Sequence, residues 1–222
     1  MPRNKYPEET VKKILDVSLK LFLEKGFEQT TVLDIVDNLG GLTRGAFYHH
    51  FKSKEEVLNA IFDRRYEEQN PIEKAKQAKG LNGLDRTRLV LKLSLLQNLD
   101  GDRLSDLAVL GVALLNNPRF LVQQVENNQE VAEYLVPIIE EGMADGSIKA
   151  GNPKFIAELF MLLTNFWLIP SIFPCSIEES FEKAEMIEQI LESLGFPIVN
   201  EELKETFTHV FNIVTKNFEN TP

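Results

Sequence analysis

The sequence predicts an all-α protein in two parts. Residues 1–66 are expected to form an N-terminal three-helix, helix-turn-helix domain, and residues 67–222 a larger helical domain for regulation and dimerisation. Three observations predict this. Apolar residues recur at three- and four-residue steps along nearly the whole chain. Glycines and prolines punctuate these segments. Strict alternation of apolar and polar residues is nowhere long enough for a convincing strand.

The elements follow in order. Val11, Ile14, Leu15, Leu19 and Phe22 line one face of a first helix, opened by Pro7, Glu8 and Glu9 and closed at Lys25-Gly26. Thr31 and Asp34 have the spacing of a capping box for a short second helix with Val32, Ile35, Val36 and Leu39 on one face. Gly40-Gly41 breaks it. Thr43 can cap a third helix reaching about His50, and Ser53 with Glu56 is a second capping box that launches a fourth. The polar stretch from Glu73 to Gly83 is expected to be a helix end or connector. Longer helices are then expected over about 84–99, 103–116, 119–144, 153–169, 177–194 and 200–218.

Composition narrows the function. The formal charge of −10 is unevenly placed: residues 1–65 hold 11 Lys/Arg against 10 Asp/Glu, and the rest hold 13 against 24. An acidic body behind a near-neutral head suits a protein that meets a polyanion at one end only. The single cysteine, Cys175, excludes an intrachain disulfide and fits a reducing, cytoplasmic setting. No apolar run is long enough for a membrane span, and no signal sequence is expected. An enzyme is not expected, because no nucleophile–base pairing or phosphate-binding glycine loop is present. No cofactor is implied. His49 and His50 are adjacent, so their side chains diverge by about 100° and are poorly placed to share a metal.

The region up to residue 52 carries the functional argument. In a helix-turn-helix, a second helix crosses the DNA backbone and a third presents its N-terminal residues to base edges. Residues 43–50 as helix are ~12 Å long, matching the major groove. Ile35, Leu39, Leu42, Phe47 and Phe51 are expected to fix the second and third helices on the first. Thr43, Arg44, Gly45, Ala46, Tyr48, His49 and His50 then face outward. Arg44 offers a fork for guanine or phosphate, Thr43, Tyr48 and His50 offer further donors, and Gly45 and Ala46 permit close approach.

Phe27, Thr30-Thr31, Asp34-Ile35 and the string Thr43-Arg44-Gly45-Ala46-Phe47-Tyr48-His49-His50-Phe51-Lys52-Ser53-Lys54-Glu55-Glu56-Val57-Leu58 resemble the N-terminal domain of the tetracycline-repressor (TetR) family over about residues 8–62. The resemblance implies an all-α homodimer on a palindromic operator in double-stranded DNA, usually released by a small-molecule effector. It implies base and phosphate contacts at Thr43, Arg44, Gly45, Tyr48, His49 and His50, with Lys52 a further candidate. Lys54 and Thr31 would meet phosphates at the starts of the fourth and second helices. One departure stands out: Gly40-Gly41-Leu42 makes the turn one residue longer than the family's usual glycine and apolar residue.

The C-terminal part holds 10 of the 15 phenylalanines and the lone Trp167. Leu203, Phe207, Val210, Phe211, Val214 and Phe218 form a stripe on the last helix, and Leu159 to Ile169 is apolar on nearly all sides. A helix buried on two faces suggests one toward the core and one toward a second copy. The resemblance puts these two helices in a four-helix dimer interface, with Leu159, Leu163, Phe166, Phe207, Val210, Phe211 and Val214 as contacts. Leu114, Phe120, Tyr134, Phe160, Met161, Asn165 and Trp167 are candidate effector contacts, although core packing accounts for most of them equally well. A helical regulator or scaffold controlled by a protein partner is the alternative reading.

Overall fold

A computed structural model describes residues 7–115, 117–149 and 151–219, and their side chains apart from Pro7 and residues 217–219; Phe218 therefore lies outside the described side chains. The chain divides into two compact units, Met1–Asn70 and Pro71–Pro222. The division falls beyond the expected break at residue 66 because α4 continues to Gln69.

The first unit contains α1 (Pro7–Lys25), α2 (Val32–Asn38), α3 (Arg44–His50) and α4 (Lys54–Gln69). Its core is the apolar set those periodicities require: Ile14, Leu15, Phe22, Phe27, Ile35, Leu39, Phe47, Phe51, Val57 and Ile61 are all buried. Leu42 is half-buried, so it contributes less to this core than expected. Arg64 of α4 reaches Asp16 of α1 at 2.8 Å, a second tie between the two longest helices of the unit.

The second unit contains α5 (Pro71–Gln77), α6 (Gly83–Leu96), β1 (Leu99–Asp100), β2 (Arg103–Leu104), α7 (Asp106–Leu114), α8 (Pro118–Asp145), α9 (Pro153–Leu162), α10 (Ile177–Ser193) and α11 (Glu201–Glu219). Two expectations are corrected here. The polar stretch after Asn70 begins as a helix: Pro71 opens α5, and Ile72 and Ala75 are buried against the core. The expected helix 103–116 is shorter, because Leu99 pairs with Leu104 and Asp100 with Arg103 in a two-residue antiparallel ladder. Gly101 supplies the positive φ of 62° that its turn needs, and Ser105 then caps α7.

Where Gly83 of α6 meets Gly142 of α8, no side chain separates the two backbones. A Cβ on Gly83 would fall inside the backbone of Gly142, and one on Gly142 would overlap Ile148. The Gly83 amide donates to Asp145 (2.7 Å), and Leu84 N donates to Ser147 Oγ (3.2 Å). Bonds from Ser147 and the Gly83 amide hold the Asp145 carboxyl below its usual pKa. Arg86 donates to the carbonyls of Ala75, Lys76, Ala78 and Leu81 and to Glu141, fastening the end of α5 and the following loop to α8. Around this junction Leu135, Ile138, Ile139, Ile156, Phe160, Leu191, Phe196 and Ile198 form the main core.

Candidate nucleic-acid interface

α2 and α3 are short, and side-chain caps set where each begins. Thr31 accepts from Asp34 N (3.1 Å), and Asp34 Oδ2 accepts from Thr31 N (2.7 Å) and from the Thr31 hydroxyl (2.6 Å). Lys25 Nζ lies 2.8 Å from the same carboxylate. Hydrogen bonds from Lys25 and Thr31 drive the Asp34 carboxyl far below the ordinary range. Both donors of Thr31 are thus committed to Asp34, so the threonine expected to meet a phosphate is occupied in capping α2.

Gly40 and Gly41, at φ 60° and 103°, make the turn from α2 to α3. Two consecutive left-handed residues are costly for anything but glycine, which is why the extra residue is a second glycine. Thr43 then caps α3, accepting from Ala46 N at 3.2 Å.

α3 buries one residue, Phe47, which packs beside Phe51 with ring centroids 6.2 Å apart. Thr43, Arg44, Gly45, Tyr48 and His49 are exposed on the opposite side, whereas Ala46 and His50 are half-buried. The Arg44 guanidinium lies 5.6 Å from the centroid of the Tyr48 ring, one turn along. Tyr48, 44% exposed, meets Phe47 edge-on at 5.5 Å. His50 stands edge-on to His49 at 5.2 Å, and burial, followed by the charge of His49, lowers its pKa. The result is an exposed cation held over an aromatic ring, with hydroxyl and imidazole donors around it, on a helix short enough for a groove.

Two lysines flank this face differently. Lys52 is exposed, and its backbone N–H donates to Glu56, so the second capping box closes one residue earlier in the chain than expected. Lys54 is half-buried and donates to Phe27 O (2.7 Å) and Glu28 O (3.1 Å). It was expected at a phosphate; its ammonium is instead drawn back onto the α1–α2 turn.

The candidate effector contacts do not form one group. Asn165 Nδ2 donates to Asn128 Oδ1 (2.8 Å) and approaches Met161 Sδ (3.8 Å), and Phe160 packs edge-on to Phe196 at 5.9 Å in the main core. Asn165 lies on a π-helical turn, Leu163–Trp167, that continues α9. Leu114 and Phe120 are buried at the end of α7 and the start of α8, outside that core. Tyr134 is 45% exposed and donates to Glu130, apart from the main core.

The expected dimer contacts also separate. On α9 and the π-helical turn that continues it, Phe155, Leu159, Leu162 and Phe166 recur at three- and four-residue steps; Phe155 and Leu162 are 63% and 54% exposed, Phe166 is half-buried, and Leu159 is partly buried against the main core. Leu163 packs on the main core. On α11, Val210 is buried, and Phe207 and Phe211 pack against Phe181 of α10 at 6.0 and 5.0 Å, while Val214 is half-buried. α11 also packs on α6 and β2, so much of its stripe is used within the chain. Met186 and Ile190 of α10 and Leu194 at its C-cap form a further apolar row whose i, i+4, i+8 spacing is legible in the sequence; Met186 is 52% exposed and Leu194 is also exposed.

A capped short helix that follows a glycine turn, seats one aromatic residue in a buried core and turns its polar residues outward is the reading helix of a helix-turn-helix. A protein built around one is a DNA-binding regulator of transcription. The comparisons agree. Residues 14–61 match the family described as "Bacterial regulatory proteins, tetR family". The chain is 31% identical over 157 residues to the HTH-type transcriptional repressor KstR2 of Rhodococcus jostii, covering 67% of this chain and 72% of that protein. It is 34% identical over 71 residues to the HTH-type transcriptional regulator TtgR of Pseudomonas putida, covering 32% and 33%. Two solved structures share the fold. A TetR-family regulator from Pectobacterium atrosepticum has a TM-score of 0.61 at 20% identity, covering 86% of this chain and 97% of that one. Reduced NemR of E. coli has a TM-score of 0.56 at 21% identity, covering 93% and 97%. The chain belongs to the TetR family of transcriptional regulators.

Proposed function

We propose that this chain is a repressor that binds a palindromic operator as a homodimer, with α3 in the major groove of each half-site, and that a small molecule bound by the second unit releases it. The observation that carries the reading is the outward face of α3: Thr43, Arg44, Gly45, Tyr48 and His49 exposed around a single buried anchor, Phe47. Arg44, held over Tyr48, is the principal base reader, and Ala46 and Gly45 let the helix backbone approach. Thr43, His50 and Lys52 act at its margins.

One short helix reads only a few base pairs, so a two-fold pair of such helices supplies the specificity. We assign the pairing surface to the α9 stripe of Phe155, Leu159, Leu162 and Phe166 together with Met186, Ile190 and Leu194 of α10. Of the α11 residues, Phe207, Phe211 and Val214 serve mainly to brace α10. Leu163 and Val210 support the packing behind it. The effector acts by preferring the conformation that binds DNA poorly, and weakens operator affinity by that differential and no more. Its candidate contacts reduce to Phe160, Met161, Asn165 and Trp167, with Leu114 and Phe120 at the α7–α8 joint.

The test is a duplex selected by the protein from a random-sequence pool, followed by gel-shift titration of Arg44→Ala and Tyr48→Phe with sizing chromatography. Weakened binding by an intact dimer is expected. Wild-type affinity in both variants would discredit the assignment.

A further inference from the structure

We infer that Lys54 is a positioning residue for DNA recognition: its ammonium fastens the α1–α2 turn to the start of α4 and sets where α2 and α3 stand. The inference rests on the reading of α3 as the DNA-facing helix.

Lys54 is the first residue of α4, and its Nζ crosses to a turn 27 residues earlier in the chain. It donates to Phe27 O at 2.7 Å and Glu28 O at 3.1 Å, and lies 4.5 Å from the centroid of the Phe27 ring. Two of the three ammonium donors are therefore on carbonyls, and a ring face takes up part of the charge. The ring is itself fixed: Phe27 is buried and meets buried Phe22 of α1 edge-on at 5.0 Å.

The other side of the turn is stitched by Thr30, which is fully buried. Its N–H bonds to Gly26 O (3.1 Å) and Phe27 O (3.2 Å), and its hydroxyl donates to Gly26 O (2.8 Å). The next residue, Thr31, is the cap that starts α2. Without the ammonium, the carbonyls of Phe27 and Glu28 lose this partner, and the path from α4 to the α2 cap loses a side-chain bridge. With it, a displacement of α4 carries α2 and α3 along. Lys52, by contrast, directs an exposed side chain to solvent.

Salt dependence separates this role from direct contact with DNA. Neutralising a phosphate contact lowers the slope of log affinity against log salt by about 0.9 per contact. A residue that only aims the helix changes affinity at every salt concentration and leaves the slope alone. The full-length wild type, Lys54→Met and Arg44→Ala are titrated with the selected duplex between 50 and 200 mM salt. Lys54→Met is expected to bind at least tenfold more weakly with an unchanged slope, and its residues 27–31 to exchange amide hydrogens faster in the free protein. A slope lowered by about 1.8, one contact of about 0.9 from each subunit, or wild-type affinity, overturns the inference. Should Lys54→Met not fold, Lys54→Gln keeps a donor without the charge: affinity within a few-fold of wild type at an unchanged slope supports the role, and a reduced slope overturns it. Arg44→Ala keeps the two readings apart, since unaffected binding there overturns the DNA-facing assignment of α3 itself.

Discussion

Arg44 is exposed at the start of α3, directly after its Thr43 cap, with the Tyr48 ring beside it. A bidentate arginine contact to a base discriminates by ~1–3 kcal/mol, so Arg44→Ala should weaken binding about ten- to a hundred-fold for each half-site and relax specificity at one base position in each. Fluorescence anisotropy on operators with single substitutions checks it; a uniform loss across all of them would make Arg44 a phosphate contact. His50 gives a pH prediction. Burial holds its folded pKa below the ordinary value of 6.5, so the unfolded chain takes up a proton before the folded one does. Stability is therefore expected to decline as pH falls through 6.5, and His50→Gln should flatten that decline in denaturant titrations at stepped pH. Asp34 acts in the same sense at lower pH. Its depressed pKa makes the α2 cap a contribution present above the ordinary carboxylate range and lost only in strong acid.

At the scale of elements, the two glycine sites make different predictions. Gly41→Ala places a Cβ at a φ of 103° and should cost ~1–2 kcal/mol through strain alone, with open space around it. Gly83→Ala meets backbone, not space, and should cost ~1–3 kcal/mol or more as α6 is pushed from α8. Thermal unfolding ranks the two, and an unperturbed Gly83→Ala would mean the helices do not touch there. The first unit was legible because its caps are local: Thr31, Thr43 and Ser53 each lie three residues before the amide they bind, so spacing alone reveals them. What escaped the sequence depends on where a side chain is placed once the helices have packed. Lys54 looks like any solvated lysine until Phe27 is folded beside it. Tyr134 is aromatic but finds Glu130 one turn away on an outer face. α5 is polar in composition, and only its contact with the core, through Ile72 and Ala75, reveals it as a packed helix.

For the whole molecule, the relevant quantities are assembly and charge. Leu162→Glu places a carboxylate in the α9 stripe, on a side chain already largely exposed, so the fold should survive while the dimer does not. Sizing chromatography should show a monomer with unaltered helical content and much reduced operator binding; a persistent dimer would move the interface elsewhere. With about four phosphate contacts per subunit, log affinity should fall with log salt at a slope near −7, and a slope near zero is incompatible with the proposed interface. The stripe on α11 shows why amphipathicity alone did not reveal the partner surface. Periodicity reports that a face is covered, and the same pattern serves whether the cover is Phe181 of the same chain or a second copy.

The crossing of α6 and α8 has a consequence for how related sequences can diverge. Where two main chains touch, no side-chain rearrangement can absorb an added methyl, so substitution at Gly83 demands that an entire helix move. At Gly142 the obstacle is the Ile148 side chain, and a smaller residue there could make room. In lineages that keep this crossing, position 83 should stay glycine throughout, whereas 142 and 148 should be free to drift as a coordinated pair.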